Sequence, residues 1–208
     1  MLLLILEDET MTETNFAGAN LTGRNFANGD LSNTDFSRAN LSNAILADAD
    51  LSNADLSHAN LSNADLSHTN LSNADLSHAN LSNANLLNAN LANANLLKAN
   101  LAHADLSRSH LQGTRLIHAN LSDADLYKTN FYIADLSFAN FSGAHLRGTS
   151  LLGTNLSNAK FDKAQLQDVY DIENANFCEA KMNNKPIEKK DIPADEYKYY
   201  ANWNPPPD

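Results

Sequence analysis

Arg38, His58, His78, Lys98 and His118 follow one another at intervals of twenty residues, and Phe138 continues the series. Imidazoles can ligate a metal or move protons near neutral pH. A metal site, however, needs three or four converging ligands, and here the two central histidines are bracketed by the cations Arg38 and Lys98. Solvated side chains are expected, as a basic stripe that strengthens when the histidines charge below about pH 6.5. A second set is acidic: Asp30, Asp35, Asp50, Asp55 and Asp75, with Asp48 and Asp65 close by in sequence. Between Phe26 and Leu97 the chain has seven Asp and one basic residue, Arg38. Serine is abundant, but there is no CxxC, no HExxH and no glycine-rich phosphate loop. Neither catalytic residues nor a cofactor is expected.

The element that positions these residues is set by a period. From Phe16 to Leu166 every fifth residue is Leu or Phe, 31 positions in all, of which six are Phe. Two residues earlier, 21 of the 31 positions are Ala; one residue earlier, 24 are Asn or Asp; the following residue is most often Ser. The unit reads Ala54-Asp55-Leu56-Ser57-His58. Five matches neither the 3.6 of an α-helix nor the 2.0 of a strand, nor a coiled-coil repeat. The chain must therefore turn a corner in each unit, pointing Leu and Ala inward. Small residues at the second inward site imply a narrow core, and the backbone must pair between stacked coils about 4.8 Å apart.

These 31 consecutive units resemble the pentapeptide-repeat family over residues 14–184. The resemblance implies an all-β fold, a right-handed parallel quadrilateral β-helix with four pentads per coil. Nearly eight coils would make a rod roughly 40 Å long. Residues 1–13 form an N-terminal segment and 185–208 a C-terminal cap or tail. The register breaks once, with Val169 as the extra residue and Ile172, Phe177 and Met182 resuming the central position. A short helix is expected from Asp191 to Trp203, capped by Asp191, with Pro193 in its first turn. Its Tyr197, Tyr200 and Trp203 would cover the core end or, as in members of the family that confer fluoroquinolone resistance, form a homodimer interface.

With four pentads per coil, residues twenty apart stack. Asp35, Asp55 and Asp75 then form one column and Asp30 and Asp50 another. Asn20, Asn40, Asn60, Asn80, Asn100, Asn120 and Asn140 make a ladder, with Asn33, Asn53, Asn73 and Asn93 as a shorter one. Individually, each Asp is explained as an acceptor for backbone hydrogen bonds at the corners. Together, the carboxylates could imitate DNA toward a basic groove, as gyrase-binding members of the family do. No interrupting loop of the kind some gyrase binders carry is present between Phe16 and Leu166. A convex rod offers no cleft in which nucleophile, base and orienter could converge.

The formal net charge of −11 disfavours direct nucleic-acid or membrane contact and suits a basic protein partner. The lone Cys178 and the lack of a secretory signal fit a cytoplasmic protein. Leu2 to Leu6 is too short an apolar run for such a signal, and Met11 is an alternative start. The functional expectation is a non-enzymatic, rigid protein-binding or scaffolding rod, monomeric or dimeric through its C-terminus. The second reading is a DNA-mimicking inhibitor or protector of DNA gyrase, a type II topoisomerase.

Overall fold

The computed structural model describes residues 15–172 and 174–187. Through Tyr170 it is a parallel β-helix in which each coil is twenty residues long. Asn15 bridges Asp35, Asn20 bridges Asn40, Asn25 bridges Ile45 and Asp30 bridges Asp50, all in parallel, and the pattern continues coil by coil. Each coil thus has four sides, one pentad per side.

The backbone explains the motif. Within the pentad Thr34 to Arg38, the N–H of Phe36 donates to Asp55 O one coil on (2.7 Å), and that of Arg38 donates to Ser57 O (2.8 Å). In the next pentad the N–H of Ala39 closes a turn onto Phe36 O (2.9 Å), while Asn40 N–H reaches back to Ala19 O (2.8 Å). Four of the five amides are then paired. The fifth, Ser37 N–H, donates to the side-chain Oδ1 of Asp35 (2.9 Å). An Asn or Asp before the central residue therefore completes the hydrogen bonding of the unit, as buried backbone groups require.

The corner itself demands an unusual backbone. At every fifth position from Gly18 to Asp168 the chain is left-handed, with φ between 51° and 74°. Only six of these are glycine, and Asn is frequent among the rest, as its tolerance of this region would suggest. The stripe from Arg38 to His118 lies on these corners.

The interior is the column of Leu and Phe with Ala and Thr between. Leu41 through Leu126 at the central positions are fully buried, as are Phe131, Phe141 and Phe161. Phe141 and Phe161 stack at 4.8 Å and 2°, one coil apart, and Phe16 stacks on Phe36 at 5.2 Å. Where Thr replaces Ala inside, its hydroxyl reaches a main-chain carbonyl: Thr69 to Leu46 O (3.0 Å), Thr129 to Leu106 O (2.8 Å), Thr154 to Phe131 O (2.9 Å). Thr34 Oγ1 is buried with no partner.

One expectation changes at the C-terminal end. The extra residue is Asp171, not Val169. Val169 is 1% exposed in the inward place that Thr149 holds one coil earlier, and Tyr170 still bridges Ser150 at the regular interval. The next bridges, Asn155 with Asn176 and Lys160 with Lys181, span twenty-one residues. Asp171 absorbs the slip by adopting φ 57° and turning outward, a conformation an Asp tolerates far better than a β-branched Val. The last parallel bridge joins Lys160 to Lys181, and a hairpin follows. Strands β1 (Lys181–Met182) and β2 (Lys185–Pro186) pair antiparallel around Asn183 and Asn184, both with positive φ, as a type I′ turn requires. Ile187 follows the hairpin, donates to Ala180 O (3.0 Å) and is buried against the core. The helix expected over Asp191 to Trp203, with Tyr197, Tyr200 and Trp203, lies outside the described residues, among which no helix forms.

Candidate protein-binding surface

The acidic residues fall where the twenty-residue spacing puts them. Asp35, Asp55 and Asp75 occupy successive rungs of one side, and Asp30 and Asp50 successive rungs of another. Asp65 starts a run of Asn85, Asp105 and Asp125 on a third side, whereas Asp48 sits on a corner. Each side chain of the first two columns is also a backbone acceptor: Ser32, Ser37, Ser52, Ser57 and Ser77 donate their N–H groups to Asp30, Asp35, Asp50, Asp55 and Asp75. The Ser32 hydroxyl (2.8 Å) and amide hold the Asp30 carboxyl below its ordinary value, and the Ser37 hydroxyl and amide do the same for Asp35.

A structural rule separates Asp from Asn along a column. From Asn60 onward the amide Nδ2 of each ladder Asn donates toward the N-terminus, to the Oδ1 one rung below. The bonds Asn60 to Asn40, Asn80 to Asn60, Asn100 to Asn80, Asn120 to Asn100 and Asn140 to Asn120 are 3.0 to 3.2 Å. Asp accepts such a bond but cannot give one. Asn70 over Asp50, Asn85 over Asp65 and Asn95 over Asp75 follow this order. Where Asp lies on Asp, at 35–55–75, at 30–50 and at 105–125, the rung has no amide bond and like charges are stacked. The shorter set Asn33, Asn53, Asn73 and Asn93 is not a ladder: these residues are on corners, and their exposed amides make no bonds to one another.

Along the predicted basic stripe, Arg38, His58, His78, Lys98 and His118 are all exposed corner residues. The rings of His58 and His78 stack at 4.8 Å and 7°, and His118 stacks on Phe138 at 4.8 Å. No cluster of His, Cys, Asp and Glu suited to a metal exists among the described residues, and none of their helices could cross a membrane. Cys178 is free and exposed.

Sequence reasoning missed the surface of the coil around residues 126–141. Earlier coils present mostly Ser, Asn, Asp and His outward. This one exposes Tyr132 (45%), Ile133 (56%) and Phe138 (48%), large apolar side chains on neighbouring sides. Beside Tyr132 lies a groove of about 440 Å³. Its floor is Asn130 and the small, nearly buried Ser150, and Gln112 and Leu152 flank Tyr132 along one wall. Lys128 and Tyr170 line it as well, and the outward-turned Asp171 ends it, its Oδ2 accepting from Ser150 Oγ at 3.2 Å. The signal in the sequence was the appearance of Tyr and Ile in outward positions that the early coils fill mostly with Ser and with Asn or His.

Comparison with known proteins agrees with this architecture. The family model described as pentapeptide repeats (8 copies) matches residues 14–51, 34–73, 69–108, 94–131 and 134–170. The chain is similar to the crystal structure of HetL from the cyanobacterium Nostoc sp. strain PCC 7120, a pentapeptide repeat protein involved in heterocyst differentiation regulation. The identity is 31%, 84% of this chain and 88% of that one are covered, and the TM-score is 0.56. It is also similar in fold to QnrB1, a plasmid-mediated fluoroquinolone resistance protein, at 19% identity over 83% of this chain and 88% of that one, with a TM-score of 0.74. No curated protein sequence matches. With its period, its four-sided coils and its family match in agreement, the chain belongs to the pentapeptide-repeat family, and its fold is that family's β-helix.

Proposed function

We propose that this protein is a non-enzymatic, rigid rod that binds a protein partner through its side surfaces, in a regulatory or scaffolding role. The observation that carries the reading is the exposed apolar set Tyr132, Ile133 and Phe138 gathered on one coil, whereas Ile45, the other large apolar side chain exposed among the described residues, stands alone. Aromatic side chains concentrated on one coil are what a protein interface uses as anchors. HetL, with its role in regulating differentiation, supports a regulatory part. The net charge of −11 favours a basic partner over nucleic acid or an anionic membrane.

In-cell cross-linking tests this. One defined protein should be captured by the natural chain and lost with the double variant Tyr132→Ser, Phe138→Ser. Capture unaffected by that variant would overturn the assignment of the surface.

A second reading, mimicry of DNA toward gyrase, draws on the stacked Asp35, Asp55 and Asp75. Gyrase supercoiling measured with the purified protein tests it. Inhibition that disappears on charge reversal at those three positions would favour mimicry, and the absence of inhibition at micromolar protein would end it.

A further inference from the structure

Each pentad uses the Asn or Asp before its central residue to accept the fifth amide of the unit. Of the 31 units only seven lack one, and six of the seven lie from His110 onward. Arg115 is among them, the single cation in a column of Asp and Asn. The N–H of Ile117, which an Asx side chain at 115 would accept, has no acceptor among the described residues. Arg115 is exposed and forms no ion pair there, although Asp135 is the next rung of its column. A residue that breaks the hydrogen-bonding rule of its own unit without a local gain is accounted for by a contact outside the chain.

The side that carries Arg115 has apolar edges. In the coil of Asp135, Ile133 (56% exposed) stands on one corner and Phe138 (48%) on the other, with the small Ser137 between them. One coil earlier the same places hold Gly113, Arg115, Ile117 and His118. Ile133 is β-branched yet held at φ 51°, an outlier for such a residue, and strained residues gather at binding sites.

These two coils are complementary to each other. When a second copy is laid antiparallel on this side, with a two-fold axis crossing between rungs 115 and 135, each column faces itself in reverse order. Arg115 then meets Asp135 of the other copy, and the two-fold repeats the pair. Phe138 meets His118, and Ile133 meets the corner of Gly113, where the only obstruction is the movable Asn93 side chain that leans over it. Further out, Asn95 meets Asn155, Asp75 meets Asn176 and His78 meets Glu179. No like charges oppose one another in these pairs. Sliding one copy by a coil in either direction sets Arg115 on Arg115 or Asp135 on Asp135, so charge fixes the register. The net charge of −11 opposes self-association, but Asp35 and Asp55 lie beyond the overlap, and distant charges are screened over about 8 Å at physiological salt.

We propose that two copies of this protein pair antiparallel through the side bearing Arg115 and Asp135, with Ile133 and Phe138 along its edges. The proposal rests on the protein-binding reading above and names a second copy of the chain as the partner. The overlap from Asp75 to Asn176 is about 24 Å long at about 4.8 Å per coil. One such side is smaller than a standard interface, so a Kd on the order of 10 µM is expected.

Sedimentation equilibrium of the purified full chain tests it. The natural protein should pass from monomer to dimer as concentration rises through the micromolar range. Arg115→Asp and Asp135→Arg should each weaken the dimer at least about tenfold, the loss of charge-assisted contacts. An equimolar mixture of the two variants should associate again, because both facing pairs then join opposite charges. Lys163→Asp, on another side, should leave the dimer intact. Arg115→Asp restores the missing Asx acceptor, so it reports even if Asp135→Arg fails to fold, and it should weaken the dimer more than Arg115→Asn does. A monomer at all concentrations, a dimer that neither reversal weakens, or folded variants that do not associate when mixed would each overturn the proposal. Any of these leaves the in-cell cross-linking result standing, so failure of self-pairing is distinguishable from failure of the partner-binding reading.

Discussion

Asn80 makes three side-chain bonds at once: it donates to Asn60, accepts from Asn100, and accepts the backbone N–H of Ser82. Asn80→Ala should destabilise the protein by about 2 kcal/mol, the sum expected of modest net contributions from each bond, as measured by urea unfolding. Asp55 is the converse case. It lies between Asp35 and Asp75 and gives nothing to the rung below. Asp55→Asn would remove two like-charge contacts and add an amide donor, so a gain of about 1 kcal/mol in urea unfolding is expected. If the gain appears, the carboxylate is retained at a loss of stability, as a binding residue would be. Acid should act on the same columns. The folded values of Asp30 and Asp35 lie below the ordinary 3.8, so their stabilisation is complete above that value and is lost as pH falls below about 4 through the depressed folded values. Stability measured from pH 6 to pH 2 should therefore decline at the acid end, and less steeply in the variant Asp30→Asn, Asp35→Asn.

The pentad is legible in the sequence because its two inward positions carry nothing but Leu or Phe and mostly small residues. Burial leaves a periodic trace, and so does the Asx side chain that satisfies the fifth amide. The corner is not legible in the same way. Its residues include Asn, His, Arg, Lys, Ile and Phe, so the left-handed backbone common to them all leaves no single residue type behind, and the stripe of cations looked merely like a solvated face. The site of the slip was ambiguous for a related reason: one added residue shifts the pattern equally whether it is Val169 or Asp171, and only the bridge from Ser150 to Tyr170 decides. The groove was beyond reach, since it depends on side chains up to three coils apart. At this scale Ile133→Asn should raise the melting temperature, the gain being up to about 1 kcal/mol from relief of the left-handed isoleucine, while weakening partner capture. Stabilisation without loss of capture would make Ile133 a bystander.

The whole molecule divides its surface along its length. Most of the stacked carboxylates occupy the early coils, Asp105 and Asp125 being a later pair, and the exposed aromatic side chains lie on the coil near residue 132. Because each coil contacts only its neighbours, stability is a sum of local terms, and the two regions can be altered separately. The Asn ladder adds a property that no single rung has. All its side-chain donors point toward the N-terminus and all its acceptors toward the C-terminus, from Asn40 to Asn140. Backbone bonds between coils run in both directions, two toward the C-terminus for each one back, as Phe36 N–H to Asp55 O, Arg38 N–H to Ser57 O and Asn40 N–H to Ala19 O illustrate. The ladder amides run one way only. They form a line of aligned dipoles up one side of the rod, with the oxygen end at Asn140, and the next two rungs of that column are Lys160 and Lys181. A cation at the negative end of a dipole row is the arrangement familiar from helix C-termini, obtained here with side chains alone. That side of the rod thus has a direction of its own, and a charged partner would meet the two ends of the ladder as different objects.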